Sequence, residues 1–258
     1  MRFAVLGYGR FGHAFADMLL RAGWSVRVHD PRARVPAELA AGSAAAAVDG
    51  AQWVVLAMPV PMMREALQGL LAHLGPAHTV IDVGSVKLHP CAMMDEILGT
   101  EIPHAGTHPL FGPLSLARAE PLRAVICASP LHPLAAMRAR QLFLDLGCNV
   151  IDQDPAAHDR AMASTHALAF FIAKGLVDMG VDDDLTVAPP SFLGLKNMLA
   201  AVRGDAGHLF AAIQQENPFA AEARTRLIET LQAIHGRLLV EGDRDGSLAI
   251  PGRSENTP

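Results

Sequence analysis

The sequence of 258 residues is poor in cysteine, in aromatic residues and in clustered basic charge. Its three cysteines, Cys91, Cys127 and Cys148, are far apart and odd in number, which argues against a disulfide framework and against a zinc site built on paired cysteines. The net charge is −5 and no dense group of lysine and arginine occurs, so a nucleic-acid partner is not expected. The balance of 51% hydrophobic and 18% charged residues is that of a globular enzyme.

Long hydrophobic runs are also lacking. No apolar stretch approaches the roughly 20 residues that span a membrane. The apolar run in the N-terminal "MRFAVLGYGR" meets glycines too soon to be a signal peptide. We therefore expect a cytoplasmic protein without a membrane partner.

Short apolar segments alternate with helical patterns over the first 150 or so residues, whereas only helical patterns follow. Alternation with strands that are apolar throughout predicts a parallel sheet covered by helices on both faces. The expected fold is therefore α/β, with a doubly wound parallel sheet in residues 1–153 and an all-helical domain with a loosely ordered tail in residues 154–258. The predicted strands are 2–7, 24–30, 52–59, 78–85, 123–129 and 148–152, and the predicted helices are 13–23, 61–75, 89–99, 132–147, 155–180, 190–204, 206–217 and 218–242.

A glycine pattern, G-x-G-x-x-G, follows the first predicted strand and opens the first helix. In this context the pattern predicts a dinucleotide site: Gly7 permits a tight turn, Gly9 lets the backbone approach a pyrophosphate, and Gly12 permits close packing of helix on strand. Asp30 ends the second strand, where a carboxylate binds ribose hydroxyls and repels the 2′-phosphate of NADP. NAD is therefore the expected cofactor, although the nearby Arg32 and Arg34 leave NADP possible. The predicted cofactor-binding residues are Gly7, Tyr8, Gly9, Arg10, Phe11, Gly12, Asp30 and Pro59.

The segment "GTHPLFGP", residues 106–113, holds two glycines, two prolines and His108. This composition predicts a loop and argues against a helix interior or a central strand. Ligands of open α/β sheets bind beyond the carboxyl ends of the strands, where Ser85 is also expected. A histidine and a serine at the nicotinamide end of a dinucleotide site indicate oxidation of an alcohol, with the histidine accepting the hydroxyl proton.

Each of these residues also has a plainer interpretation. Alone, His108 fits a turn histidine bonded to backbone, Ser85 fits a helix N-cap, and Lys87 fits a solvated charge. His104 lies four residues before His108, but the intervening glycine and the proline that follows prevent the helix that would align a metal pair, so no metal is expected.

The motifs "GYGRFG", "VLAMPV", "DVGSVK", "GTHPLFGP" and "HDRAMASTHALAFF" resemble, in order and spacing, the prephenate/arogenate (cyclohexadienyl) dehydrogenase family of tyrosine biosynthesis. The resemblance covers nearly the whole chain, and "DVGSVK" followed by "GTHPLFGP" is its specific part. It implies a Rossmann domain, a helical dimerisation domain and a homodimer. It also implies NAD(P)-dependent oxidative decarboxylation of prephenate to 4-hydroxyphenylpyruvate or of arogenate to tyrosine.

The resemblance implies that His108 and Ser85 are catalytic and contact the substrate. His166 and Lys196 are further candidates for substrate binding, although the chain departs from the family here: Phe170 stands where a second histidine is common, and Lys196 or the more distant Arg203 replaces an arginine that binds a carboxylate. These departures leave the substrate open among prephenate, arogenate and an amino-substituted prephenate. His158 and Asp159 are interpreted as a structural pair that caps a helix between the domains.

Two alternatives remain. A β-hydroxyacid dehydrogenase or an imine reductase would use a group such as Lys174 on the long helix, but would leave "GTHPLFGP" unexplained. A non-catalytic NAD-sensing module would bind the cofactor without turnover.

Overall fold

The computed structural model describes residues 1–181, 189–203 and 208–240. Its centre is a seven-stranded sheet with the strand order β2-β1-β3-β4-β5-β6-β7. The strands are β1 (Arg2–Leu6), β2 (Ser25–His29), β3 (Trp53–Leu56), β4 (Thr79–Asp82), β5 (His104–Pro109), β6 (Arg123–Ala128) and β7 (Asn149–Asp152).

Helices connect the strands and then continue alone beyond β7. The helices are α1 (Arg10–Arg21), α2 (Ala44–Val48), α3 (Val60–Leu70), α4 (Leu88–Leu98), α5 (Pro113–Ala117), α6 (Pro133–Asp145), α7 (Pro155–Met162), α8 (Leu168–Asp178), α9 (Leu193–Arg203), α10 (His208–Ala211) and α11 (Ala220–Val240). A π-helical segment, Ala163–Ala167, joins α7 to α8, and a second, Ala212–Glu216, follows α10.

The sheet is buried on both faces, as predicted. In β1, Phe3 and Val5 contribute to one hydrophobic cluster, whereas Ala4 and Leu6 contribute to another. Successive side chains of a strand point to opposite faces, so an apolar run is required where helices cover both. The α/β class with a helical C-terminal region is therefore confirmed, and the division into two domains at residue 153 stays a prediction.

The prediction that residues 106–113 exclude a central strand is wrong. Residues 104–109 form β5, an interior strand that pairs in parallel with β4 and antiparallel with β6, so the sheet is mixed rather than all parallel. The pairing with β4 covers only His104 and Ala105. Pro109, which has no N–H to donate, therefore lies where β5 has already separated from β4 and is tolerated.

The helical predictions hold with adjusted ends. The long helix predicted for residues 155–180 is one continuous helical run in which a π turn separates α7 from α8. The helix predicted for 206–217 is observed from His208 onward. The tail beyond residue 240 lies outside the described residues, as does the first part of that helix.

In the described ranges, no helix is both long and apolar enough to cross a membrane. Those same ranges hold no group of three or more histidine, cysteine or acidic side chains placed to bind a metal ion.

Gly106 is required by close packing inside β5. A Cβ atom at this position would lie 2.4 Å from Sγ of Cys91 and 3.3 Å from Cβ of Cys127.

We expect Gly106→Ala to lower the free energy of unfolding by about 1–3 kcal/mol, because the buried cysteines must move. Urea denaturation measures this difference. Gly69→Ala is the control, since a Cβ on that exposed face of α3 meets nothing within 4 Å and a helical alanine is favoured over glycine by up to about 1 kcal/mol. Equal stability of the two variants would contradict the packing argument.

Candidate active site

Strands β1 to β5 all run in one direction, so their carboxyl ends meet at one edge of the sheet. The glycine turn follows β1, Asp30 follows β2, Pro59 follows β3, Ser85 follows β4, and His108 lies near the end of β5. The sequence-predicted residues of the sheet are therefore brought to one edge. This is the edge at which open α/β sheets bind ligands.

The glycine turn has the geometry that the pattern predicts. Gly7 has φ +105°, and a Cβ there would lie 2.5 Å from the carbonyl oxygen of Ala57. A Cβ on Gly12 would lie 2.2 Å from the carbonyl oxygen of Gly7, so the helix packs directly on the turn. Gly9 precedes the first residue of α1, and a Cβ there would meet nothing within 4 Å. The N-terminus of α1 is thus open to an anion, which free N–H groups at a helix start favour.

The other predicted cofactor residues surround this turn. Tyr8 is buried beside α1, Phe11 packs near Phe111 with ring centroids 6.1 Å apart, and Arg10 is exposed. Pro59 is exposed and immediately precedes α3.

Asp30 ties the glycine turn to the end of β2. Its carboxylate accepts hydrogen bonds from the backbone N–H groups of Tyr8 at 2.6 Å, Arg32 at 2.7 Å and Ala33 at 2.9 Å. Partial burial raises the pKa of Asp30, but these three donors outweigh it and hold the pKa below its usual value. A carboxylate has about four lone-pair sites, so capacity remains for a ribose hydroxyl. Arg32 and Arg34 are both exposed nearby.

Lys87 is fully buried, so its interpretation as a solvated charge is wrong. Its ammonium group forms a buried ion pair with the equally buried Asp82 and donates to the carbonyl oxygen of Thr107 at 2.6 Å. Asp82 also accepts from the N–H groups of Gly84 and Thr107. A buried charge needs such a partner and such hydrogen bonds to be tolerated. The ion pair therefore fixes the loop that holds Ser85 against the end of β5.

His108 lies at one end of a buried chain of hydrogen bonds that the sequence did not reveal. Its Nδ1 atom is 2.8 Å from Nε2 of His158, and Nδ1 of His158 is 2.7 Å from Oδ1 of Asp159. His158 and Asp159 are fully buried, and His108 is 4% exposed. The sheet and α7 thus meet at this histidine pair.

Asp159 also caps α4, in agreement with its interpretation as a capping pair between the two parts of the chain. Its carboxylate accepts from the backbone N–H groups of Lys87 at 2.7 Å and Leu88 at 2.9 Å. The side-chain amide of Asn217 donates to the backbone carbonyl of Asp159 at 2.8 Å. The start of α7 is therefore attached to both the sheet and the last helices.

His166 lies beside His108, on the π-helical segment. The two imidazole rings are stacked with centroids 6.4 Å apart, and Phe170 meets His166 edge-on at 4.7 Å. Burial, followed by the neighbouring His158, lowers the pKa of His166 to about 4. π turns are frequent at functional sites, and this one places a second neutral imidazole next to the first.

His108 is held in its neutral form. Burial is the main cause of a pKa well below the usual value, and His158, Lys87 and His166 lower it further. A neutral imidazole has one nitrogen free to accept a proton or a hydrogen bond. The site therefore presents a proton acceptor rather than a cation.

The remaining candidates stand apart from this chain of hydrogen bonds. Ser85 is half-buried in the loop between β4 and α4. Lys196 is exposed on α9, and Arg203 at the end of that helix donates to the carbonyl oxygen of Val181 at 2.7 Å. Lys174, the residue on which a β-hydroxyacid or imine reaction would depend, is paired with Asp178 on its own helix at 2.6 Å.

Comparison with known proteins shows what this chain is similar to. The family profile described as the nucleotide-binding domain of prephenate dehydrogenase matches residues 28–124. The chain is 28% identical over 262 residues to 4-amino-4-deoxyprephenate dehydrogenase of Streptomyces pristinaespiralis, covering 95% of this chain and 87% of that protein. It is 24% identical over 254 residues to chloroplastic arogenate dehydrogenase 2 of Arabidopsis thaliana, covering 92% of this chain and 70% of that protein. The chain is thus similar to prephenate and arogenate dehydrogenases, and the family profile matches part of it, residues 28–124.

A solved structure of a family member has the same fold. The prephenate dehydrogenase of A. aeolicus, solved with hydroxyphenyl propionate and NAD+, superposes with a TM-score of 0.72 at 22% sequence identity, covering 93% of this chain and 91% of that one. Residues 28–124, which match the nucleotide-binding domain of prephenate dehydrogenase, include the ends of β2 to β5. The glycine turn after β1 precedes the matched residues.

Removing the buried ammonium group of Lys87 should strongly destabilise this protein. We expect Lys87→Met to lower the free energy of unfolding by about 3–5 kcal/mol, because Asp82 would remain as an unpaired buried charge. Lys174→Met is the matched control: that ion pair is exposed on α8 and should contribute less than about 1 kcal/mol. Urea denaturation of both variants tests this. A Lys87→Met variant as stable as the control would show that the ion pair does not hold the loop.

Proposed function

We propose that this protein is an NAD-dependent dehydrogenase that oxidises and decarboxylates a prephenate-type cyclohexadienol in tyrosine biosynthesis. The observation that supports it most directly is His108, a buried neutral imidazole at the dinucleotide edge of the sheet. Prephenate and arogenate, the two substrates that the family resemblance implies, both carry a ring hydroxyl and a ring carboxylate.

In the proposed reaction, His108 accepts the proton of the ring hydroxyl. NAD+, when bound, accepts the hydride from the carbon that carries this hydroxyl. The resulting ring ketone lies in conjugation with the carbon bearing the carboxylate. The bond to the carboxylate then breaks, CO2 leaves, and the bonding electrons enter the ring and make it aromatic. The phenolate oxygen recovers the proton from His108, so the imidazole ends the cycle neutral, as it began.

Other residues are assigned supporting roles. Ser85, half-buried in the loop that Lys87 anchors, is proposed to hydrogen-bond the ring hydroxyl near the nicotinamide. His166, stacked beside His108, is proposed to contact the substrate. Lys196 is proposed to bind the side-chain carboxylate as a point charge, without the bidentate geometry of arginine.

An amino-substituted prephenate is a second candidate substrate. It is favoured by the match to a 4-amino-4-deoxyprephenate dehydrogenase over 95% of this chain. In that reaction the hydride would leave a ring carbon that carries an amino group, and His108 would interact with nitrogen instead of oxygen.

We also propose a homodimer formed through the helical part. Large apolar side chains are exposed along α11 there, at Ile228, Leu231, Leu238 and Leu239.

The first test of the function is turnover. Purified protein is given NAD+ or NADP+ together with prephenate, arogenate or 4-amino-4-deoxyprephenate, and the absorbance of reduced nicotinamide is followed. We expect turnover with one of these substrates. We expect His108→Gln to lower kcat by about 10²–10⁴-fold, the usual contribution of a general base, with NAD+ affinity retained in calorimetry.

Two outcomes would contradict the proposal. Measurable NAD+ binding without turnover of any substrate would favour a non-catalytic sensing module. Full activity of His108→Gln would exclude the assigned base. The Lys174→Met variant serves as control, because its retained turnover would argue against β-hydroxyacid or imine chemistry through that residue.

A second test concerns the preference for NAD over NADP. Asp30 is proposed to accept hydrogen bonds from the ribose and to repel a 2′-phosphate, whereas the exposed Arg32 and Arg34 would attract one. We expect Asp30→Ser to reduce the ratio of kcat/KM for NAD+ to that for NADP+ by about 10-fold or more, equivalent to about 1.4 kcal/mol. Asp49→Ser, at an exposed helix end, should leave the ratio unchanged. An unchanged ratio in Asp30→Ser would show that residues other than Asp30 discriminate between NAD+ and NADP+.

A further inference from the structure

The contacts of Asp159 determine which atoms donate and which accept along the buried chain of hydrogen bonds. Its carboxylate accepts from two backbone N–H groups at the start of α4 and from the ring of His158. The N-terminus of a helix favours an anion, and an ionised carboxylate can only accept. The nitrogen of His158 that faces Asp159 must therefore carry the hydrogen, which makes it Nδ1–H.

The same reasoning determines which ring nitrogen of His108 carries the hydrogen. When Nδ1 of His158 carries the only ring N–H hydrogen, Nε2 has a free lone pair, and this atom lies 2.8 Å from Nδ1 of His108. Nδ1 of His108 must therefore be the donor. Its Nε2 atom is left with the free lone pair, and no group in the described part of the chain hydrogen-bonds it.

We propose that His158 and Asp159 form a positioning relay for His108. Resting on the function proposed above, the relay keeps the Nε2 lone pair of His108 directed at the substrate and accepts a stronger hydrogen bond when His108 becomes an imidazolium. His158 and Asp159 act through His108 and contact no reacting atom in this proposal. Their structural role is the attachment of α7 to α4, in which Oδ1 of Asp159 accepts from Lys87 as well as from His158 and Oδ2 accepts from Leu88. This attachment does not by itself require the ring of His158.

Charged and titratable groups surround His108 from every packed element. His158 and Asp159 face it from α7, His166 faces it from the π segment, and Lys87 with its partner Asp82 lies at the end of β4. Lys87 opposes an added positive charge on His108, whereas Asp159 favours it. Among the described residues, Asp159 is therefore the only acidic group that is linked to His108 through a hydrogen-bonded imidazole, the ring of His158.

The tautomers can be observed without any turnover. Protein labelled with 15N in histidine is examined by long-range proton–nitrogen correlation spectra, with ring signals assigned from His108→Gln and His158→Gln. We expect hydrogen on Nδ1 and a free lone pair on Nε2 in both rings. Hydrogen on Nε2 of His108 would overturn the relay, and this result stands whether or not any tested substrate reacts. A failure of the proposed function is therefore distinguished from a failure of the relay.

Kinetics separate positioning from simple structural support. We expect His158→Leu to lower kcat by about 10²-fold, because Nδ1 of His108 loses its acceptor and the ring can adopt the wrong tautomer. His158→Gln, which retains an acceptor, should restore part of this loss, and KM should change less than kcat in both. His73→Gln, at an exposed position, is the control for a histidine substitution. A His158→Leu variant that folds normally and keeps kcat within about 2-fold of wild type would overturn the proposal.

The pH profile gives an independent readout. In Asp159→Asn the negative charge is lost while the shape is kept, so protonation of His108 becomes harder and the acid limb of kcat/KM should move to lower pH. A purely structural role would reduce the amount of active enzyme and leave this limb in place, which would contradict the relay. Thermal unfolding of each variant confirms that folded protein is compared.

Discussion

The ammonium group of Lys87 lies where three segments of the chain meet, and its burial constrains all of them. It pairs with Asp82 at the end of β4 and donates to the Thr107 carbonyl in β5, while the backbone N–H of the same residue donates to Asp159 in α7. Removing a charge from water costs several kcal/mol unless its partners are well placed. Little freedom is therefore left to β4, β5 or α7 at this point.

The environment of His108 follows from that constraint. The residue next to Thr107 in β5 is His108, so the hydrogen bond from Lys87 to the Thr107 carbonyl also fixes the backbone that carries the imidazole. Asp159 fixes the opposite side through His158. Held from both sides and 4% exposed, the imidazole of His108 has little freedom to move, and burial lowers its pKa. The proton transfer proposed for His108 depends on this placement, since misplacement by about 1 Å can cost about 10²-fold in rate.

The geometry of the glycine turn and of Asp30, the proposed nucleotide end of the site, could be predicted from sequence because it depends on local interactions. Gly7 is needed because its backbone has a positive φ, and Gly12 is needed because the helix packs directly on the carbonyl of Gly7. Both glycines lie within six residues of sequence. Asp30 is recognised by its place at the end of the second strand. The α/β alternation is likewise visible in short apolar runs, and it predicted that these residues lie at one edge of the sheet.

The parts that could not be predicted depend on contacts between residues distant in sequence. Lys87 resembles any charged loop residue until Asp82 and Thr107 are placed around it. His158 is separated from His108 by 50 residues, and nothing in either local sequence indicates their contact. The strand β5 was missed because glycine and proline normally argue against one. Here Gly106 is needed for contact with Cys91, and Pro109 is permitted by the early end of the pairing with β4.

The π-helical turn at Ala163–Ala167 has a consequence for how relatives of this chain can be aligned and recombined. A π turn holds about one residue more than an α turn, and each residue turns a helix by about 100°. The single additional residue therefore determines which side chain is presented beside His108, without any change in the helix on either side. A relative that lacks it would present another residue at the place of His166, even if every flanking residue were identical. Exchange of helices between members of the family has to preserve the length of this turn as well as its sequence.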